Sequence, residues 1–366
     1  MREGWEYKKL GDVAKISSGK AIPSSEIKET YKNGLYPCYG GNGLRGYVDF
    51  YSYDGFYPII GRVGALCGNV HLSQGKFYAT EHALVVSLKT HEKACYLEYI
   101  LKYLNLRQYA KGVAQPVLSA GTLSEIAIPI PPLPDQERIV SELDLLHSII
   151  EKKKAQLKEY DLLAQSIFYD MFGDPFTNEK EWENSSFGCI MTPAKSNKCK
   201  SHTELPILSI TMHSGIVRQE DRFKKVIASK DVTGYKIIKR GQLVIAFPID
   251  EGLIYTQDIE DEGIMSPAYN VWDVDYKKVS TLFLKFHFHS PSIMKYYKDK
   301  LRGTTLRRRM IPKEDLLNLP IPLPPLSLQQ QFAAKMESIE RQKELIKQSI
   351  AEVQTLFDSR MDYWFN

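Results

Sequence analysis

Two short stretches decide how this chain is built: Ile128-Pro129-Ile130-Pro131-Pro132-Leu133 and Ile321-Pro322-Leu323-Pro324-Pro325-Leu326. They are one block written twice. Gln136 follows the first as Gln329 follows the second, a shift of 193 residues (136 to 329). Three closely spaced prolines cannot lie inside a helix, because each lacks an N–H and pushes the preceding residue out of helical geometry. Each block is therefore an extended lead-in, and a long helical pattern follows it. In the first copy Leu143, Leu146, Ile150, Lys153, Leu157, Tyr160, Ala164, Ile167 and Met171 fall on alternating three- and four-residue steps. In the second, Met336, Ile339, Lys343, Ile346, Ile350, Val353, Phe357, Arg360 and Trp364 do the same, position for position. That spacing is the a/d seam of a coiled coil. Each helix is expected to be roughly 55 Å long at ~1.5 Å per residue, and the first to stop at Gly173, ahead of Asp174-Pro175.

One such seam alone reads as an ordinary core helix. Two matched seams in one chain are each other's natural partners. A second pair of markers lies upstream: Trp5-Glu6-x-x-x-Leu10-Gly11 parallels Trp182-Glu183-x-x-x-Phe187-Gly188, shifted by 177 residues (5 to 182). The chain thus holds two copies of one large unit, diverged in the middle. The expected fold is α+β: two globular heads separated by two long antiparallel coiled-coil helices, related by a pseudo-two-fold internal repeat. The expected divisions are a first head at 1–134, a central helix at 135–173, a second head at 174–325 and a C-terminal helix at 326–366. Within the heads, Ala83–Leu88 and Gln242–Phe247 read as buried strands, and Tyr96–Tyr109 and Leu282–Leu301 as helices.

The 366 residues suit two cores, and the 43% hydrophobic and 25% charged content is that of a globular protein. A formal net charge of only +4 means that a nucleic-acid role must rest on local basic patches. Cys38, Cys67, Cys95, Cys189 and Cys199 are odd in number, and none forms a Cys-x-x-Cys pair, which points to a reduced, cytoplasmic setting. Neither a signal peptide at Met1–Trp5 nor a membrane span is expected.

Candidate binding residues cluster in both heads. Tyr39-Gly40-Gly41-Asn42-Gly43-Leu44-Arg45 is either a plain hairpin or a loop whose bare backbone approaches a ligand with Arg45 projecting. Gly61-Arg62-Val63-Gly64 repeats the theme, and arginine can form two parallel hydrogen bonds to guanine in the major groove. Thr80-Glu81-His82 adds a polar cluster contributing Thr80 and His82, and Lys111-Gly112-Val113-Ala114-Gln115 contributes Lys111 and Gln115. The second head carries the clearest basic patch, from Lys295 to Lys313, with Arg302, Thr304, Arg307, Arg308 and Arg309 as candidate phosphate contacts. A solvated face is the plainer reading of such a run. Lys224, Lys225, Lys236, Arg240 and Tyr269 are further candidates.

Catalytic patterns are missing. Gly19-Lys20 lacks the rest of a phosphate-binding loop, and there is no G-x-S-x-G or H-E-x-x-H. His287-Phe288-His289 has no third ligand nearby for a metal. Asp144, Glu151 and Lys153 imitate a metal-nuclease spacing but fall on the long helix. No catalytic or metal-binding residue is assigned, and the chain reads as a binder.

The plan of head, Pro-Pro-Leu, long helix, repeated once, resembles the specificity subunit of type I restriction-modification systems. Tyr36-Pro37-x-Tyr39-Gly40-Gly41-Asn42-Gly43 and Gly61-Arg62-Val63-Gly64 look like one recognition-domain type of that family, and Ser266-Pro267-Ala268-Tyr269 like part of another. The usual Pro-Pro-Leu-x-Glu-Gln becomes Asp135-Gln136 in one copy and Leu328-Gln329 in the other. The resemblance implies a non-catalytic subunit with two target recognition domains. Each would read one half of a bipartite, asymmetric target in double-stranded DNA, and the helices would set the spacer. It implies two modification (methyltransferase) subunits as partners, bringing S-adenosylmethionine, and a restriction (motor-nuclease) subunit bringing ATP and Mg. No cofactor is expected in this chain.

Overall fold

The computed structural model describes residues 4–89, 93–112, 115–195, 198–199, 205–212, 214–222, 232–302 and 310–366. Its two longest helices run Leu133–Phe172 and Leu326–Phe365, 40 residues each. Moved by 193 positions, the first begins and ends on the second. At ~1.5 Å per residue each is about 60 Å long. The first ends where expected: Gly173 takes φ 75°, and its N–H donates to the Tyr169 carbonyl at 2.8 Å. The chain divides into two compact units, residues 1–155 with 347–366, and residues 156–346.

In unit 1 the head contains strands β1 (Glu6–Lys9), β2 (Ala14–Ser18), β3 (Tyr36–Gly40), β4 (Gly43–Val48), β5 (Tyr53–Asp54), β6 (Tyr57–Gly61), β7 (Val70–Ser73), β8 (Lys76–Ala79), β9 (Ala83–Leu88) and β10 (Ala127–Ile130). Helices α1 (Leu10–Val13), α2 (Ala94–Tyr103) and α3 (Ala120–Ser124) precede α4, the long helix from Leu133. Two four-stranded sheets, ordered β2-β9-β6-β7 and β4-β3-β8-β5, form the head. Its core also takes in Ile139 and Leu143 of α4 and Met361, Trp364 and Phe365 from the chain's end. Glu142 accepts from Arg360 Nη2 and from Trp364 Nε1, both at 3.0 Å, and His147 faces Phe357. As numbers rise along α4 they fall along its partner, so the two halves in this unit are antiparallel.

Unit 2 contains α5 (Phe187–Ile190), β11 (Met191–Pro193), β12 (Leu208–Thr211), β13 (Gly215–Arg218), α6 (Gln219–Arg222), β14 (Lys236–Lys239), β15 (Leu243–Ile245), β16 (Ile254–Thr256), β17 (Glu262–Met265) and β18 (Asn270–Val274). Then come α7 (Thr281–Phe288), α8 (Pro291–Lys300), α9 (Lys313–Leu317) and α10, the long helix from Leu326. Here too the long-helix halves are antiparallel: Asp161 pairs with Lys343 at 2.7 Å, and Phe168 and Phe172 pack on Phe332.

The repeat is deeper than the blocks that announced it. The sheet order β11-β18-β15-β16 reproduces β2-β9-β6-β7. In unit 1 Glu6 opposes Ile130 and Lys9 opposes Ala127; in unit 2 Glu183 opposes Leu323 and Ser186 opposes Pro320. Each pair maps on the other by the shifts of 177 and 193. Gly11 and Gly188 are bare for one reason. A Cβ would fall 2.8 Å from Ser124 in the first unit and 3.2 Å from the Leu317 carbonyl in the second.

The matched glutamines are buried clamps. Gln136 Oε1 accepts from the Lys93 N–H at 2.9 Å, at the start of α2, while its Nε2 donates to the Pro131 carbonyl at 3.0 Å. Gln329 Oε1 accepts from the Ser280 N–H at 2.7 Å, at the start of α7, and its Nε2 donates to the Pro324 and Lys278 carbonyls at 3.0 Å. Each ties the head's helix to the Pro block. Gln136→Leu and Gln329→Leu would leave these backbone groups buried and unpaired, at about 1–3 kcal/mol each. We expect a lower urea midpoint in both variants; an unchanged midpoint would refute the clamp.

Two expected helices are interrupted. Tyr96–Tyr109 breaks after Tyr103, where Asn105 adopts left-handed φ 44° before a 3-10 turn at Leu106–Tyr109. Leu282–Leu301 is two helices, because Pro291 forces Ser290 to an extended φ −65°, ψ 145°. His287 lies buried in the last turn of α7, and burial pushes its pKa down to about 4. The unfolded chain therefore binds a proton more readily than the fold. The stability that His287 contributes is complete above ~6.5 and declines as pH falls toward 4, by about 3 kcal/mol at ~1.4 kcal/mol per pH unit. His287→Phe should flatten this part of the urea-midpoint profile between pH 7 and 4; an identical slope would refute it.

Candidate nucleic-acid interface

Unit 1 gathers four stretches of sequence at one end of its sheets. The β3–β4 turn at Asn42 is tight, with Gly43 at φ 82°, and a Cβ there would lie 2.9 Å from His71 Nε2. His71 of β7 therefore packs directly on the turn. Thr80 N–H donates to the Tyr39 carbonyl at 2.8 Å. Bare Gly40 fits between the Arg45 stem and Thr80 Oγ1, each 3.6 Å from where its Cβ would be. At Gly61 a Cβ would fall 2.3 Å from the Gly41 carbonyl, so the two glycine segments touch backbone to backbone.

Arg62 then runs beside the turn at Glu81-His82. Its N–H donates to the His82 carbonyl at 2.9 Å, and its Nη1 reaches the Glu81 carbonyl at 3.3 Å. His82 Nε2 lies 3.3 Å from Glu81 Oε1. Lys111 and the segment Pro116–Leu118 close against the same strand. Leu118 N–H donates to the Arg62 carbonyl at 2.9 Å and Gly64 N–H to the Pro116 carbonyl at 3.1 Å. Tyr39, Asn42, Arg45, Arg62, Thr80, His82, Lys111 and Gln115 thus share one region. Arg45 is anchored there by Nη2 donating to Ser24 Oγ at 2.7 Å. Two residues not singled out from sequence join them. Glu81 was visible only as a neighbour of Thr80 and His82, and His71 carries no spacing signal at all. Burial lowers the pKa of His71 and raises that of Tyr39. Arg62 Nε, Glu81 Oε2 and His71 Nε2 are shielded from solvent and have no hydrogen-bond partner among the described residues. Unpaired buried polar atoms are costly and call for a partner such as a water, an ion or a ligand.

Unit 2 has the same scaffold with different chemistry at this place. Pairing of β2 with β9 sets Ala14 opposite Leu88, and β11 with β18 sets Met191 opposite Val274. Ile59 faces Val85 in the first sheet as Val244 faces Val271 in the second. Counting from these pairs puts Phe247 where unit 1 has Arg62, Pro267 where it has Glu81 and Ala268 where it has His82. Tyr269 is next, and its carbonyl accepts from Lys236 Nζ at 2.5 Å. Burial and then the nearby Lys198 lower the pKa of Lys236. Lys236 shares with Trp272, Met310 and Lys313 a depression of about 410 Å³. Arg302 and Met310 exchange backbone hydrogen bonds at 3.0 Å. Two other cations of this unit are already paired. Arg240 binds Asp261 at 3.0 Å and the Asp258 carbonyl, and Lys300 binds Asp315 at 2.7 Å. Lys224, Lys225, Thr304, Arg307, Arg308 and Arg309 lie outside the described residues.

The features resembling catalytic sites have structural roles. Asp144 accepts from Tyr99 OH at 2.5 Å, and Glu151 pairs with Lys154 at 2.8 Å. His289 places both ring nitrogens on carbonyls, of Lys285 at 2.6 Å and Gly252 at 2.9 Å. Among the described residues no group of three or more His, Cys, Asp or Glu is placed to hold a metal ion, and no helix is long and apolar enough to cross a membrane.

A family model, the type I restriction modification DNA specificity domain, matches residues 2–159 and again 179–355. The chain belongs to that family. The two matches to the specificity domain begin 177 residues apart, the offset of the Trp-Glu markers. The EcoprrI specificity subunit of Escherichia coli is 42% identical over 154 residues, 41% of this chain and 38% of that protein. A putative type I restriction enzyme specificity subunit of Haemophilus influenzae is 31% identical over 148 residues, again 38% of its length. The chain thus spans about two fifths of these two relatives. The MjaIX specificity subunit of Methanocaldococcus jannaschii is 22% identical, with 92% of this chain and 86% of that protein aligned. A solved S subunit from M. genitalium shares the fold at TM-score 0.54 and 13% identity, covering 99% of this chain and 96% of that one. A solved chain from work on complex assembly and conformational transition of the type I R-M system gives TM-score 0.57 at 16% identity, covering 99% and 97%.

Proposed function

We propose that this chain is the sequence-specific DNA recognition subunit of a type I restriction-modification complex. Each unit reads one half of a bipartite, asymmetric target. The observation that carries this reading is the contrast between the units: strand order, clamps and helix ends repeat, while the loop positions of Arg62, Glu81 and His82 become Phe247, Pro267 and Ala268. A duplicated scaffold with divergent loops suits two different half-sites. The long helices set the spacer and help dock two methyltransferase subunits, which bind S-adenosylmethionine and extrude the target base. A motor-nuclease subunit brings ATP and Mg, and the complex works in the cytoplasm. Complex assembly of a type I R-M system is the subject of the work on the second solved relative. No chemical step is assigned to this chain.

The test is DNA binding by the full chain copurified with its modification subunits, measured against random and selected duplexes over a salt series. Phosphate contacts make affinity fall linearly in log–log form with salt, and base contacts keep a preference at moderate salt. A salt-dependent complex with no sequence preference would contradict the reading.

A further inference from the structure

We propose that Arg62 and Glu81 together read one G·C base pair through its major-groove edge, an inference that rests on the DNA-reading function above. Four observations converge on it. The first is the mixed charge of the site. Lys111, Gln115 and Arg45 around it suit phosphates, but a carboxylate at Glu81 repels them. A carboxylate only accepts, so its match on DNA is an exocyclic amine, cytosine N4 or adenine N6.

The second is the guanidinium of Arg62. Its described side-chain contact is one long hydrogen bond, 3.3 Å from Nη1 to the Glu81 carbonyl, and its Nε has no partner among the described residues. The same holds for Glu81 Oε2. Arginine donors and a carboxylate oxygen with unfilled hydrogen-bonding capacity are therefore neighbours. In the major groove a G·C pair offers the complement, with acceptors at guanine N7 and O6 next to the cytosine N4 donor. An A·T pair offers the amine but gives the arginine fork only isolated acceptors, with the thymine methyl group beside O4.

The third is placement. Gly41 and Gly61 meet with no side chain between them, a Cβ on Gly61 falling 2.3 Å from the Gly41 carbonyl. That contact holds the Arg62 segment against the β3–β4 turn, where Asn42 is exposed. The fourth is the comparison within the chain. Phe247 and Pro267 occupy the equivalent places in unit 2 on a sheet of the same order, so the scaffold itself requires neither the arginine nor the glutamate.

The experiment selects binding duplexes from a randomised library, using the full chain copurified with its modification subunits. Wild type is compared with Arg62→Ala, Arg62→Lys and Glu81→Gln. The last two keep the volume of the site and decide the matter if Arg62→Ala fails to fold. We expect the variants to lose preference at one G·C pair of one half-site by about ten- to a hundredfold, leaving the other half-site and the spacer unchanged. An unchanged selected sequence would overturn the pairing. Equal weakening across all sequences would also overturn it, by making Arg62 a phosphate contact. Wild type without any selected sequence would overturn the DNA-reading function itself.

Discussion

A chain ending at Thr355 is expected to lose the fold of unit 1, although residues 1–134 would be intact. The deleted segment contributes Met361, Trp364 and Phe365 to the first core, where each is buried. Phe365 stacks near Tyr96 and Tyr103 of α2, and Trp364 holds Glu142 through Nε1 at 3.0 Å with Arg138 over its ring. The hydrogen bond from Arg360 keeps the Glu142 carboxyl below its ordinary pKa, a sign of an ion pair that the truncation would break. Loss of one large buried side chain costs about 3–5 kcal/mol. Three of them exceed much of the ~5–15 kcal/mol that holds a typical domain. Hydrogen exchange should show α2 losing protection in the truncated chain. Protection equal to wild type would mean that the first head is stable without the chain's end.

Phe168→Ala should be the most damaging single substitution in unit 2. Phe168 is 2% exposed and its ring lies within 6 Å of those of Phe172, Phe283, Phe286 and Phe332. These rings come from α4, α7 and α10, so one side chain joins the head to both long-helix halves of the unit. The expected loss is about 3–5 kcal/mol, read as a lower urea midpoint. A change below ~1 kcal/mol would show that the neighbouring rings collapse into the space.

The parts of this fold that repeat were legible because proline and seam spacing are local signals. The two Pro blocks located both helix starts to within the block, and Gly173 located the end of one. The aromatic knot was not legible in the same way. Phe168 and Phe172 sit beside the chosen seam positions and Phe332 lies one step before the first of them, and only packing against α7 shows that they matter more. The break at Ser290-Pro291 is masked in the sequence by the apolar run on either side. At the interface, the glycine segments and Arg62 were visible as short motifs. Their assembly with His71, Glu81, Lys111 and Pro116–Leu118 depends on strand pairing between distant residues, which no local spacing encodes. Arg240 shows the opposite limit: a cation counts toward a basic patch in sequence, yet Asp261 neutralises it in the fold.

The central claim is that each unit reads its own half-site, and exchange tests it most directly. Residues 1–134 would be replaced by the corresponding head of a relative with a known target. Methylated adenines would then be mapped across the genome of a host expressing the complex. One half-site should change to the donor's, while the other half-site and the spacer stay as in wild type. A change in both half-sites, or in neither, would contradict it.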